Sequence, residues 1–597
     1  MKKTTRNPFV ILLFPSQLLV NRFIKVGLLL LLLTGTGNLL AQGRWDSLTH
    51  LASDPNMGDM LLLSDGSVIV KTSGGVPPYG NVWDRLTPDS LGSYLNGTWS
   101  PVSPMYYDRW AFSSQVLIDG RVYVAGGEFG SGYGSAEVYD PVADTWTMVP
   151  PLTSGDSFLD ANTEILPDGR VLQGIVNHTV GNENYIYDPV SNSFSMGPYC
   201  ISGIHDESTW LKLPDNSILF VDMGSFTSER FIPALNTWIA DATVPVALYD
   251  SFQYETGPAF LLPDGRGFFI GGSGNTAFYT PSGTTSPGSW AAGPKIPLGF
   301  ACPDAPGAMM VNGKIIFVAS PPPRPAVYMD TPAVLFVFDY LTDSFTMIPS
   351  PLGPDTMHTG STAFNMLVLP DGNILLSGNG SQRYYVYKPS GSPLAAGKPI
   401  IDTILPINCE TYMATGTGFN GITEGASFGD DFQMSTNYPL VRLKFEGFVF
   451  YARTHNWNHT GVMTGSLPDT VLFDLPPGLT TNTYMVELVV NGNPSAEYSL
   501  TTCPPSGIAQ TKMYEPGITI YPNPANEKAN VSFYSSTEGK YEIKVLDLLG
   551  QTVIAESGEA SAGKNVISLK LKGLAKGVYT VYLKSDDGSF MEKMVVE

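Results

Sequence analysis

The sequence predicts an all-β protein: a seven-bladed β-propeller followed by two smaller β-sandwiches. Three observations lead there. An apolar strand ending in a Gly turn recurs seven times, a large aromatic returns at a fixed place in the outer half of each unit, and 62 Gly and 48 Pro accompany few helical patterns. At 597 residues the chain is long enough for several domains. A net charge of -21 argues against nucleic acid as a partner, because a phosphate backbone is bound by concentrated Lys and Arg.

The N-terminus reads as an export signal. Lys2, Lys3, Arg6, Arg22 and Lys25 precede the apolar run Val26 to Leu33, and small residues lead to a cleavage site after Ala41. The run is short for a membrane span, and Pro15 breaks the earlier apolar patch from Phe9 to Val20. Residues 1–41 are therefore expected to be a signal peptide. No later stretch reaches spanning length, so the mature chain is expected to pass through the periplasm and to be secreted or held at the cell surface.

Residues 42–397 carry the repeats. Turns fall at Ser64-Asp-Gly66, Ile118-Asp-Gly120, Pro167-Asp-Gly169, Pro214-Asp-Asn216, Pro263-Asp-Gly265, Val311-Asn-Gly313 and Pro370-Asp-Gly372. Their spacing of about 50 residues is that of kelch-type propeller blades. Pro presets φ, Asp bonds back to the backbone and Gly accepts positive φ, so each triplet reverses an inner strand into the next. In the outer halves, Trp146, Phe194, Trp238, Trp290 and Phe345 recur; stacked sheets need such aromatics as core. The last repeat, ending at Tyr387-Lys-Pro389, lacks its aromatic outer strand. Gly43-Arg-Trp-Asp-Ser-Leu48 has that pattern, so the mature N-terminus is expected to close the ring and remove an exposed edge.

Residues 398–503 fit an immunoglobulin-like sandwich, with strands at Leu440 to Phe445 and Thr483 to Val490. Cys409 and Cys503 stand at its two ends and are the best candidates for a disulfide in an oxidising compartment. Cys200 and Cys302 fit a second bridge or two buried thiols equally well. Residues 504–515 read as a linker.

Residues 516–597 form a small β module. It opens with Ile518-Thr-Ile-Tyr-Pro-Asn-Pro524, continues through Val545 to Gln551 and the alternating Gly577-Val-Tyr-Thr-Val-Tyr-Leu583, and ends in Lys593-Met-Val-Val-Glu597. These four landmarks, in this order, closely resemble the C-terminal sorting domain of the type IX secretion system of Bacteroidetes-type bacteria. The resemblance implies that the module is an address read by that machinery, and that function lies upstream.

A kelch propeller followed by a sandwich carrying Tyr451-Ala-Arg-Thr-His-Asn456 resembles galactose oxidase and related copper-radical oxidases over roughly residues 42–503. That family holds copper with two histidines and two tyrosines, one tyrosine crosslinked to a cysteine. His455 matches the sandwich histidine in its Thr-His setting. The crosslinking cysteine's position falls at about Met57, the crosslinked tyrosine's at Ala111, and the family's Tyr-His pair at Thr362-Ala363. His358 follows Met357, five residues before Ala363. Tyr106, Tyr107 and Trp110 lie near enough to stand in as aromatics. A copper-dependent oxidase of sugars, alcohols or aldehydes rebuilt around His358 and His455 is therefore the alternative reading.

The favoured reading is noncatalytic binding of an extracellular glycan or protein. Eight residues before each turn, where inner strands begin at one mouth of the channel, stand Met57, Ala111, Asp160, Glu207, Thr256, Asp304 and Ala363. His205 and Asp206 precede Glu207, and Glu255 precedes Thr256. Asp160, His205, Glu207, Glu255 and Asp304 are thus the candidate ligand-binding residues. Carboxylate oxygens suit calcium better than copper, and equally suit sugar hydroxyls or a basic peptide. The plain alternative is that these carboxylates are solvated and bond neighbouring turn amides. His50, His178 and His459 have no partner spacing. No cofactor is expected for a binder. No Gly-x-Ser-x-Gly elbow, His-Glu-x-x-His or phosphate loop occurs.

Overall fold

The computed structural model describes residues 43–597 apart from 55–56, 73–79, 153–155, 177–181, 203–204, 207, 328–329, 352–356, 379–380, 429–435, 480, 503–517, 536, 548–550, 562 and 586–587. The expected signal peptide, Glu207, His178 and Cys503 lie outside the described residues. Apart from short 3-10 turns, every described element is a β-strand.

Seven four-stranded antiparallel sheets follow one another along the chain, over residues 57–102, 113–148, 163–196, 209–240, 259–292, 306–348 and 364–388, the last completed by Arg44–Ser47. In each, the first strand ends in one of the Asp-Gly or Asn-Gly type turns and runs back as the second. Trp45 pairs with Tyr387 in the register in which Trp146 faces Tyr139, Phe194 faces Tyr187, Trp238 faces Phe231, Trp290 faces Tyr279 and Phe345 faces Phe338. The N-terminal strand therefore supplies the missing outer strand, as its Trp pattern predicts. Before the fourth strand, Asp144, Asn192, Asn236 and Asp343 all take positive φ of 47–52°. Asp and Asn tolerate this conformation because their short polar side chains bond locally.

The recurrent aromatics are core. Trp83 stacks on Trp146 at 5.7 Å, Tyr123 on Tyr187 at 4.6 Å and Phe268 on Phe338 at 4.0 Å, each pair joining two successive sheets. Polar bonds link the sheets as well. Arg85 donates to the Tyr139 hydroxyl at 3.0 Å, Gln115 to the Thr163 carbonyl at 3.0 Å, and the Asp304 amide to the Thr256 carbonyl at 2.8 Å. The first strand of the first sheet lies beside that of the seventh.

The second domain's strands, from Ile400–Pro406 to Tyr498–Thr501, are hydrogen-bonded into one eight-stranded sheet. Residues 454–463 of this domain run along the turns of the first five sheets. The Thr454 amide donates to the Ser64 carbonyl, the Asn456 amide to Ile118 and the Thr460 hydroxyl to Leu166. A Cβ on Gly461 would meet Asn216 at 2.5 Å, and one on Gly265 would meet Met463 at 3.7 Å. The domain also sends a strand inward. Ala426–Phe428 pairs with Pro306–Met309, the first strand of the sixth sheet, and makes it five-stranded. Nearby, Lys212 pairs with Glu164 at 2.8 Å and donates to the Thr460 carbonyl at 3.0 Å, while burial and the Glu164 charge push Glu424 up to about 8.

Cys409 is disulfide-bonded. Cys200 and Cys302 are buried thiols.

One compact unit reaches to Ile404 and includes Met413–Phe473 and Val486–Tyr498; a second is formed by Leu405–Tyr412, Asp474–Met485 and Ser499–Glu597. Within the second, a three-stranded sheet (Thr519–Tyr521, Lys528–Ser535, Gly563–Lys570) and a four-stranded one (Gly539–Leu546, Thr552–Ala560, Gly577–Ser585, Gly588–Val596) share a core of Val531, Phe533, Ile543, Leu569, Val581 and Met594. The Asn523 side chain pins the opening motif to the last strand, donating to the Lys593 carbonyl at 2.8 Å and accepting from the Val595 amide at 2.8 Å. Among the described residues no helix is long and apolar enough to cross a membrane.

Candidate functional site: the open face

Strand direction gives the seven sheets two unlike faces. First strands end at the turns, and residues 454–463 cover those of the first five sheets. Connections from second to third strands, and from each sheet to the next, must then emerge on the opposite face, which holds the described mouth positions.

These connections are built to hold shape. Arg109 is completely buried, pairs with buried Glu137 at 2.9 Å, and donates to the carbonyls of Gly132 and Ser135 at 2.8 and 2.9 Å. The other oxygen of Glu137 accepts the Tyr106 amide at 2.7 Å, and the oxygen that meets Arg109 also accepts the Tyr107 amide at 3.2 Å. A Cβ on Gly132 would sit 2.6 Å from the guanidinium, so the close approach requires glycine. Glu229, also second in a third strand, likewise accepts the Ile201 and Ser202 amides at 2.7 and 2.6 Å. Asp250 accepts the Phe252, Gln253 and Glu255 amides. Ala111, Leu159, Tyr254 and Asp304 hold positive φ of 45–69° here, a conformation that persists in such residues only when the surroundings fix it.

On this frame aromatic side chains face solvent. Tyr106 is 62% and Tyr133 52% exposed, and Phe129, Tyr199, Phe252 and Tyr254 are exposed as well. Trp110 packs on Phe129 at 5.2 Å, and Tyr249 on Tyr254 at 5.9 Å. The sequence held Tyr106 only as a copper-site stand-in; its exposure follows from connection geometry, which residue spacing does not carry.

The candidate residues divide. Asp160, Glu255 and Asp304 stand at the open face on the third, fifth and sixth sheets and are largely buried. Asp304 ties three sheets together: its amide binds Thr256 and its carboxylate accepts the Thr362 hydroxyl at 2.7 Å. His205 does not face the mouth. It is completely buried, 5.0 Å from the Phe220 ring, 5.3 Å from Trp210 and 6.0 Å from Trp238, and burial pushes its imidazole down to about 3. The folded state thus keeps this ring neutral where the unfolded chain protonates it near 6.5. Stability is fully present above pH 6.5 and is lost as pH falls toward 3. The melting-temperature gap between wild type and His205→Phe is expected to shift in the variant's favour across that window; a pH-independent gap would contradict it.

His358 and His455 are not brought together. His358 precedes the first strand of the seventh sheet and is exposed at the open face, whereas His455 follows Thr454, which is bonded to Ser64 at the turn face. A first strand of five or six residues at about 3.3 Å each separates the two levels, far beyond the reach of one metal ion. The copper site of the alternative reading therefore does not fit these two histidines, and the Thr-His motif instead docks the second domain on the turns. Among the described residues no three His, Cys, Asp or Glu side chains gather to hold a metal ion, so the calcium expectation gains no site from Asp160, Glu255 and Asp304 alone. A buried ionisable pair that the register missed, Asp59 and Lys71, lies in the first sheet; burial raises Asp59 to about 6 and lowers Lys71.

Comparison with known proteins agrees with this architecture. The secretion system C-terminal sorting domain family matches residues 519–597, and the kelch motif matches residues 111–153. The kelch-like protein terF of Aspergillus terreus is 25% identical over 185 residues, which cover 29% of this chain and 38% of that protein. The F-box/kelch-repeat protein SKIP20 of Arabidopsis thaliana is 38% identical over 98 residues, 15% of this chain and 23% of its own. The chain thus spans well under half the length of either relative. A fungal alcohol oxidase of the AA5 family, solved in complex with copper, is similar with a TM-score of 0.48 and 14% identity, over 77% of this chain and 99% of its own; that likeness is too distant to assign an activity. The sorting domain implies engagement with the secretion machinery, export, and a secreted or cell-surface location. The chain therefore carries a kelch motif and, at residues 519–597, a type IX secretion system C-terminal sorting domain.

Proposed function

We propose that the chain is an exported, noncatalytic binder of extracellular glycan. In this reading the seven sheets are the blades of one ring, the second domain is an immunoglobulin-like sandwich closing its turn face, and residues 1–41 direct passage through the periplasm. The observation that carries it is the set of solvent-facing aromatics on hydrogen-bonded connections, with the exposed carboxylate of Glu128 next to Phe129. Aromatic faces stack on the apolar faces of sugar rings while carboxylates accept from hydroxyls, and exposed aromatic groups on a rigid frame lose little entropy on binding.

The test is calorimetric binding of the exported chain to neutral, acidic and amino-bearing oligosaccharides, with a peroxide assay on the copper-loaded protein over sugars, alcohols and aldehydes. Selective binding that falls at least tenfold in Tyr106→Ala/Tyr133→Ala is expected, with no substrate-dependent peroxide. Turnover with stoichiometric copper would replace this reading with an oxidase.

A further inference from the structure

We infer that the open face selects a glycan bearing free, protonated amino groups; this rests on the glycan-binding reading and names its ligand class. Charge complementarity is the reason. Residues 43–502 contain 43 acidic and 18 basic side chains, whereas residues 518–597 contain 10 acidic and nine basic ones. The acidity of the chain therefore belongs to the ring and its second domain, not to the sorting module.

On the ring it is concentrated where the aromatics are. The described residues of the open-face connections include 13 acidic side chains against four basic ones, Arg109, Lys295, Arg324 and Arg383. Arg109 is buried against Glu137, and Arg324 is paired with Asp330 at 2.8 Å. By contrast, the turn-face arginines are matched locally, Arg121 with Asp119, Arg170 with Asp168 and Arg266 with Asp264, each at 2.7 Å. Arg230 from a third strand meets Asp241, and the acids that remain in excess make the field over the open face negative, which favours a cationic ligand.

The aromatics recognise the same ligand a second way. An ammonium over a Tyr, Trp or Phe face is attracted by the ring quadrupole. Exposed Glu128 adjoins exposed Phe129, whose ring packs on Trp110, so charge and stacking surface coincide at one place. An anionic glycan meets repulsion on this surface, and a neutral one gains stacking without charge.

The experiment titrates the exported chain at pH 6 with a glucosamine oligosaccharide, with the N-acetylated oligosaccharide of the same length, and with oligolysine. At low salt the amino oligosaccharide is expected to bind at least tenfold more tightly than its N-acetylated counterpart. That preference is expected to shrink several-fold between about 50 and 300 mM salt, since surface charges are screened beyond a Debye length. Asp108→Asn/Glu128→Gln, which keeps the backbone bonds of both residues, is expected to weaken the amino oligosaccharide several-fold more than the N-acetylated one and so to cut the preference. Equal affinity for the two oligosaccharides would overturn the amino selection and leave the glycan reading standing. Binding of oligolysine with no affinity for either sugar would overturn both.

Discussion

Deleting residues 43–52 is expected to lower stability by about 5 kcal/mol and to promote self-association. The deletion removes Trp45, which packs on Tyr387 at 4.9 Å and donates to the Pro349 carbonyl at 3.0 Å, together with buried Leu48 and Ala52. Burial of side chains of this size contributes about 2 kcal/mol each, and the lost ladder bonds add to it. The larger consequence is topological. Tyr385–Lys388 becomes an unpaired edge, and such an edge pairs with any strand that reaches it. The Leu48 amide bond to the Tyr384 carbonyl and the Gln382 side-chain bond to Ala52 go with it, so the junction of first and last sheets is weakened. Thermal unfolding with light scattering checks this: a deletion variant that melts at the wild-type temperature as a monomer would mean that the ring is closed by other contacts.

This closure was legible because Trp45 repeats a pattern printed five more times downstream, and local repetition survives in sequence. The same holds for the Asp-Gly turns, where φ dictates residue type, and for the core aromatics, whose place in each repeat is fixed. Legibility ended where contacts are long-range. His205 sits beside two carboxyl-bearing neighbours in sequence but points into Phe220, Trp210 and Trp238, which nothing in the spacing discloses. Thr454-His455 read as a metal motif because residue identity was visible and its partner was not; the partner is the Ser64 carbonyl, some 390 residues away. The inward strand Ala426–Phe428 carries no signal at all, since a three-residue strand is defined by what it pairs with. Exposure of Tyr106 and Tyr133 was hidden for the opposite reason: in a chain with 29 Tyr and 30 Phe, identity alone does not separate a surface ring from a core one.

Glu137→Ala is expected to destabilise the protein by about 3–5 kcal/mol and to reduce ligand binding further than the loss of folded protein explains. Removing one partner of a buried ion pair leaves the other charge without compensation, which costs more than the pair contributes. Here the remaining group is the Arg109 guanidinium, completely buried and already held below its ordinary range by desolvation. The substitution also orphans the Tyr106 and Tyr107 amides, each of which then pays for desolvation or pulls its loop toward water. Arg109→Met/Glu137→Met separates the two effects. It removes both charges, so much of the stability is expected to return, yet Tyr106 still lacks the carboxylate that fixed its backbone. If stability recovers while binding stays weak, the pair matters because it orders the exposed aromatics. If both recover together, burial of the pair is structural alone, and the rigidity of this face does not govern recognition.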